Sequence, residues 1–467
     1  MYAPRKPLRA VGACVPLLLL SACAHYEALP LDPKRIEAEY AARDLNSESL
    51  HEFLRTHAPE LAEPWPRSSW NLEALTLAAF CFHPELEVAR AHFEVARSGI
   101  EVAAMRPNPS VTLAPAYNSD ATGATSPWLP GASLEIPIET ASKRSIRITR
   151  SQHVAQSARN DLVTSAWRVR AALRAALLDL VSQSDRARLT AQQLASQQRI
   201  VVLLAQRVSL GAAPSGELST ATMALTRLQI ASTESQQRMA EARSDLAQAL
   251  GLPVRAVVDL HLDKETPSAS VLDVTQARST ALSVRSDIMS GLADYAVSEA
   301  ELRYEIAKQY PDLRFGPALE WDQGEHKWTL GVTLELPLNR NRPGIAEASA
   351  RREESAARFR ALEVSAIAEV ERAASSYEAA RAEAERLQSL DRDLDRKLAF
   401  EQTRLASGDS DQLQFQQATL ERVEAALALL DSRSQLARAA GVLESVVQQP
   451  IPAFAVLQGQ AQEKSTP

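Results

Sequence analysis

The chain contains itself twice, and that duplication limits its fold more than any other feature. Residues 131–138 read Gly-Ala-Ser-Leu-Glu-Ile-Pro-Ile and residues 331–338 read Gly-Val-Thr-Leu-Glu-Leu-Pro-Leu, so Gly, Leu, Glu and Pro coincide at an offset of 200. Upstream, Pro109–Pro115 matches Pro311–Pro317 and Pro84–Ala91 matches Ser286–Ala293, both at an offset of 202. Downstream, Gly211 with Ala221 matches Gly408 with Ala418 at an offset of 197. Four segments in one order, drifting by only five residues, are hard to obtain by chance. The halves run over residues 72–253 and 273–447, joined by a linker at 254–272 that carries Pro267 and Ser268. A proline-rich segment, 23–71, precedes them, and an irregular tail, 448–467, follows.

Each half has the same plan. A helix is predicted first, over about 72–106 and about 274–309. Asn108-Pro109 and Tyr310-Pro311 stop it, because the residue before a proline avoids the helical region. Two extended segments follow. In 327–338, Trp328, Leu330, Val332, Leu334 and Leu336 share one face, with Thr329, Gly331, Thr333 and Glu335 on the other. In 313–321, Leu313, Phe315, Leu319 and Trp321 oppose Arg314, Gly316, Ala318 and Glu320. Period two means strand. The length of about 9–11 residues suits a tilted strand crossing a bilayer. A half-buried soluble hairpin shows the same alternation, so the strands alone leave both readings open.

The long helices decide between them. From about Thr140 to Leu210 there is neither proline nor glycine, and Leu162, Ala166, Val169, Leu173, Leu177 and Leu180 recur at steps of three and four. Leu362, Ala366, Val370, Ala373, Tyr377, Ala380, Ala384, Leu387, Leu390 and Leu394 repeat the pattern. Such a seam is coiled-coil-like. Some 70 residues at about 1.5 Å each span about 100 Å. An alanine-rich seam permits close approach and buries little area, so several neighbouring helices are needed. The opposite face carries Arg, Glu, Gln and Ser and reads as wet. Four strands per chain cannot close a barrel, and an open edge does not survive in lipid. Three chains supply twelve.

The N-terminus reads as an address. Arg5, Lys6 and Arg9 precede an apolar run, Ala10–Ala22, too short to span and containing Pro16. It ends in Leu20-Ser21-Ala22-Cys23, which matches the bacterial lipoprotein box, with an ordinary signal peptide as the alternative. Residues 1–22 would then be removed and Cys23 lipidated. Ala24 is not the aspartate that often retains lipoproteins at the inner membrane, which points to the outer membrane. The formal charge of −7 becomes about −10 once three cations leave (−7 − 3), which argues against nucleic acid as a partner. Cys81, between Phe80 and Phe82, reads as a small buried hydrophobe. The eight histidines are scattered without metal-ligand spacing, and five methionines give no support for a copper relay. With no phosphate-binding glycine loop and no nucleophile motif, no enzyme, cofactor or metal site is expected.

The duplicated order, the lipobox, the Leu-Glu-Ile-Pro and Leu-Glu-Leu-Pro strand ends and the two glycine turns resemble the outer membrane efflux protein (TolC) family, over nearly the whole mature chain. The segment Pro137–Arg144 is similar to its heavy-metal efflux branch. The resemblance implies a mainly α fold with a small membrane β-barrel of twelve strands, closed by a homotrimer. It also implies a passive channel, which takes substrate from an inner-membrane pump of the RND or ABC type through a periplasmic adaptor. The competing reading is a lipid-anchored coiled-coil adaptor or scaffold, but there a single hairpin beside a lipoyl-like β domain is expected. A lipid-anchored hydrolase would need a nucleophile–base set that the sequence does not offer.

Two regions carry the candidate site. Gly211 and Gly408 permit positive φ where the long helices end, and Ser215, Ser410 or Asp411 are candidates to cap the next helices. The resemblance makes Leu210, Gly211, Ala212, Ser407, Gly408 and Asp409 the periplasmic tip that docks the adaptor. Asp409, Asp411 and Glu217 are candidates for an anionic ring there. Asp411 reads first as a cap, whereas Asp409 fits either role. At the other end, residues 118–130 and 322–327 are expected to form external loops, with Gly123, Pro127 and Pro130 in the first and a turn at Asp322-Gln323-Gly324 in the second. Trp128, Trp321 and Trp328 suit an interfacial girdle or core packing. Arg314, Glu135, Glu320 and Glu335 are candidates to line a lumen.

Overall fold

The computed structural model describes residues 26–120, 126–263, 281–322 and 325–448. Cys23, Gly123, Pro267, Ser268, Gln323, Gly324 and the tail beyond Gln448 lie outside the described residues. Two units divide the chain, at Arg43 and Asp44. The first contains helix α1, Pro33–Ala41, with Pro33 in its first turn and Asp32 as its cap, accepting from the Lys34 N–H at 3.0 Å.

The second unit begins with α2, Glu48–His57, and a short 3-10 turn, Pro59–Leu61. The single helix expected over 72–106 is two: α3, Leu72–Phe82, and α4, Pro84–Ala104. Pro84 forces the break, since the residue before it is driven out of the helical region. His83 sits at ψ 123° and its Nδ1 accepts from the Glu85 N–H at 3.3 Å. The second half also breaks, at Arg285. There α7 runs Ser286–Ala307, after a helical stretch at 281–284.

Helices α5, Lys143–Ser209, and α8, Arg342–Ser407, have 67 and 66 residues. Each is followed by a glycine turn and a return helix, α6, Ser215–Leu250, and α9, Gln412–Val447. The helices pack side by side in the order α4, α5, α7, α8 on the sheet side and α6, α5, α9, α8 toward the turns. The seam residues Ala166, Val169, Leu173, Val370, Ala373, Tyr377 and Ala384 are buried, whereas Leu390 is exposed.

The face of α5 expected to be wet is not uniformly so. Arg170, Arg174, Gln193 and Gln197 are buried, because α5 has neighbours on several sides. Both guanidiniums meet Glu444 of α9, Arg170 at 2.5 Å. Buried charge needs such a partner. Gly441 makes room for it: a Cβ there would lie 2.9 Å from Arg174 Nε. The largest core gathers Leu50, Leu54, Leu75, Phe80, Leu86, Leu173, Leu246 and Leu250, so it ties α2, α3 and α4 to α5 and α6. Residues 254–263 join it through buried Val257, and the Trp70 amide bonds His261 O at 2.9 Å. Among the described residues, no helix is long and apolar enough to cross a membrane.

The strands are β1, Ser110–Leu113; β2, Ala116–Tyr117; β3, Trp128–Leu129; β4, Gly131–Ile138; β5, Leu313–Asp322; and β6, Glu325–Leu334. Four of them form an antiparallel sheet in the order β1-β4-β5-β6, and β2 pairs with β3 separately. The strand expected over 327–338 ends at Leu334, so Glu335, Leu336 and Leu338 follow it. Pro115 and Pro130 interrupt the strands of the first half, having no N–H for a ladder. Pro317 is accommodated inside β5, where the β4–β5 ladder skips Leu134 and Glu135.

Candidate functional site: an open sheet and two helix turns

The sheet sorts most of its side chains by face. Cross-strand partners share a face, and Val111, Leu134, Ile136, Phe315, Leu319, Trp328, Leu330, Val332 and Leu334 all fall on one. Among the described residues nothing covers it: Trp328 is 77% and Leu330 68% exposed. The other face carries Ser133, Gly316, Gly331, Thr329 and Thr333 with a few charges. Arg314 reaches Glu135 at 3.1 Å and Glu335 at 2.8 Å. Glu320 stands opposite Lys327, whose ammonium pairs with Asp322 at 2.5 Å.

Of the three tryptophans considered for a girdle, Trp321 and Trp328 lie on the apolar face near the Asp322–Glu325 end, and Trp321 stacks on His326 at 5.8 Å. Trp128 is elsewhere, in the β2–β3 ribbon, edge-on to Tyr117 at 5.0 Å. Strand therefore enters the segment read as a loop over 118–130.

Where strands meet helices, each half uses two consecutive left-handed residues: Ala141 and Ser142 before α5, Arg340 and Asn341 before α8. Lys143, buried at the first turn of α5, bonds Tyr310 O at 2.7 Å and Asp312 Oδ1 at 2.8 Å. The Thr140 amide donates to the same carboxylate at 2.8 Å. Burial opposes ionisation of Asp312, but Lys143 and Thr140 outweigh it and hold the carboxyl below its ordinary value. Sequence reasoning missed this cluster, which joins residues about 170 apart. The only hint was the matched position of the two junctions.

At the opposite end, Gly211 takes φ +73° and Gly408 φ +82°. The turn after α5 is closed by Gly211 and Ala212 amides on Val208 O and Arg207 O. Leu210 is 82% exposed. Ser215 does not cap α6: it is the first helical residue, after Pro214. Glu217 lies in that first turn, exposed. Asp411 does cap α9, its Oδ1 accepting from the Gln414 N–H at 2.9 Å. Its other oxygen takes the Arg207 guanidinium at 2.6 Å, linking the two turns. The cap bond to Gln414 and then Arg207 hold Asp411 below the ordinary carboxylate value against partial burial. Asp409 is exposed and accepts from Ser407 Oγ at 2.8 Å, while the Arg404 side chain bonds its carbonyl. Neither Asp409 nor Asp411 is bonded to Glu217. A small core of Ile200, Leu204, Ala221 and Leu413 lies just behind the turns.

The family model described as outer membrane efflux protein matches residues 78–252 and 278–447. No curated protein sequence matches the chain. Among solved structures, a membrane protein from Pseudomonas aeruginosa aligns with TM-score 0.67 at 18% identity, over 80% of this chain and 90% of that one. The VceC outer membrane protein of Vibrio cholerae aligns at 0.66 and 17% identity, over 85% of this chain and 98% of its own. The CmeC outer membrane channel of Campylobacter jejuni gives 0.66 and 15%, over 85% and 89%.

Proposed function

Since the chain belongs to the outer membrane efflux protein family, we propose that three copies close into one continuous duct through the outer membrane. The observation that carries this is a coincidence of edges. The sheet ends at β1 and β6, and the sheet-side helix layer ends at α4 and α8. Helix α4 leads into β1 and β6 leads into α8. The same two segments are therefore open in both layers, and one neighbour on each side satisfies both. Backbone groups at a sheet edge cannot be left bare in hydrocarbon. Closure turns the apolar face to lipid and the polar face to a lumen.

In this reading residues 72–253 and 273–447 are two equivalent staves, and 254–272 joins them. Residues 1–22 are removed and Cys23 is acylated, which anchors the segment 23–71. The duct conducts passively, without chemistry of its own, from an inner-membrane pump and a periplasmic adaptor to the outside. Leu210, Gly211, Ala212, Ser407, Gly408 and Asp409 form the adaptor-docking tip. Asp409 and Glu217 supply the anionic ring. Asp411 contributes less, because Arg207 of its own chain already neutralises it.

The test is the native mass of protein extracted in detergent from separated outer membranes. The expected result is about 150 kDa of protein, from three chains of 50.9 kDa before processing, with acyl chains on Cys23. A monomer, or recovery only from the inner membrane, overturns the channel.

A further inference from the structure

We infer that the junction between sheet and helices binds the phosphate groups of anionic phospholipids in the periplasmic leaflet. This rests on the outer-membrane reading above. The apolar face of the sheet stops at the junction, and exposed cations begin there. Leu336 and Leu338 follow β6, Leu338 at 94% exposure, and Arg340 and Arg342 come next, both exposed. On the far edge, Met105 is exposed and followed directly by exposed Arg106, just before β1. Tyr310, also exposed, precedes β5 at the same level. Apolar side chains, then an aromatic with a polar tip, then arginine is the order in which a membrane interface is met.

The charge balance there is one-sided. The carboxylates at the junction are already engaged: Glu139 by Arg147, Asp312 by Lys143, Glu305 by Lys308 and Asn341, and Glu335 by Arg314. Among the described residues, no carboxylate pairs with Arg106, Arg340 or Arg342. A cleft of about 570 Å³ opens at the same level, where β4, β5 and β6 reach the helices, lined by Thr140, Ser142, Tyr310, Leu313 and Leu334. Leu313 and Leu334 pair on the lipid-facing side, so the cleft offers an apolar wall with hydroxyls at its rim. Arg106 lies by β1 and Arg340 by β6. Closing the ring brings Arg106 of one copy beside Arg340 and Arg342 of the next. The site is therefore complete only in the assembly.

The experiment uses the full-length trimer extracted in mild detergent with an equal mixture of phosphatidylglycerol and phosphatidylethanolamine. Native mass spectrometry reads both the oligomer and its bound lipids. The wild type should retain phosphatidylglycerol in preference, and R106Q/R340Q/R342Q should lose that preference, at about fivefold in affinity per arginine. R106K/R340K/R342K should keep most of it, because a headgroup phosphate accepts either cation. An intact wild-type trimer without preference, or an unchanged preference in the triple glutamine variant, overturns the lipid site while leaving the channel standing. Loss of the trimer in the wild type overturns the channel instead. If the triple glutamine variant does not assemble, R340Q alone must still halve the preference or more.

Discussion

The two halves of the molecule solve the same packing problem by opposite means. In each, the last helix ends on a left-handed residue that abuts the break in the first helix. In the first half that residue is Gly251, at φ +71°, and the break is His83-Pro84. In the second it is Gln448, at φ +50°, and the break is Arg285-Ser286. Gln448 Oε1 accepts from the Ser286 N–H at 2.7 Å and from its hydroxyl at 2.8 Å. Pro84 holds the place of Ser286 and has no N–H to give. The first half therefore brings backbone against backbone: a Cβ on Gly251 would lie 2.6 Å from Phe82 O. A duplicated plan constrains where chains meet, and each copy is then free to make the contact with different chemistry.

The sharpest way to break that comparison is to exchange the two solutions. Gly251→Ala meets both left-handed strain and an unyielding carbonyl, and should lose about 4 kcal/mol. Gln448→Gly gives up two hydrogen bonds to a buried serine and gains backbone freedom, for a loss of about 1 kcal/mol. Urea midpoints of the detergent-solubilised protein measure both. Equal losses would show that the two contacts are interchangeable.

The hairpins differ in the same spirit. In the second half, β5 and β6 are ten residues each, while β1 has four. Leu330 lies midway along β6, whereas Ile138 of the first half ends β4 at the base of the sheet, opposite Leu313. Leu330→Arg should cost about 3 kcal/mol and Ile138→Arg about 1 or less, because the cost of a charge on the lipid face grows with depth. The fraction of heat-resistant trimer on a gel reports the difference. Similar effects at both positions would place the two side chains at one depth and remove the contrast.

Much of this was readable in the residues. The repeat, the long helices and the alternating strands rest on periodicity and on proline and glycine, which act locally. The break at His83-Pro84 was readable too, by the same rule that stopped the helix at Asn108-Pro109, but the strong apolar run Leu75–Phe82 masked it. Other features needed three dimensions. Ala141, Ser142, Arg340 and Gln448 are poor candidates for positive φ, so residue type gave no sign of these turns. Arg170 and Arg174 read as solvent-facing until α9 brings Glu444 to them. At the turns, the two glycines announced themselves, while the bond from Arg207 to Asp411 spans 204 residues and left no trace in local pattern.

The turns give the smaller contrasts. Helix α9 has a side-chain cap and α6 has none. Asp411→Ala should cost about 1 kcal/mol, and Ser215→Ala should stay within about 0.5. Thermal melts of the two variants separate a cap from a bystander. A Ser215 effect as large as that of Asp411 would mean that the serine hydroxyl does more in the assembly than in the chain.

Acid should act on one turn and spare the other. Asp411 ionises more readily folded than unfolded, because the Gln414 amide and Arg207 favour its carboxylate. A depressed value means the unfolded chain takes up the proton first. The stabilisation is thus present above the unfolded value of about 3.9 and is lost as the pH falls through the lower folded value. Asp411 and Arg207 are both partly exposed, so water and salt screen the pair and the effect is modest. Hydrogen exchange at the first turn of α9, at Leu413 and Gln414, should quicken below the ordinary carboxylate range once corrected for intrinsic rates. The first turn of α6 should not respond in that window, and Asp411→Asn should abolish the pH step while leaving α6 as it was. A step of equal size in α6 would show that neither the cap bond nor Arg207 is its source.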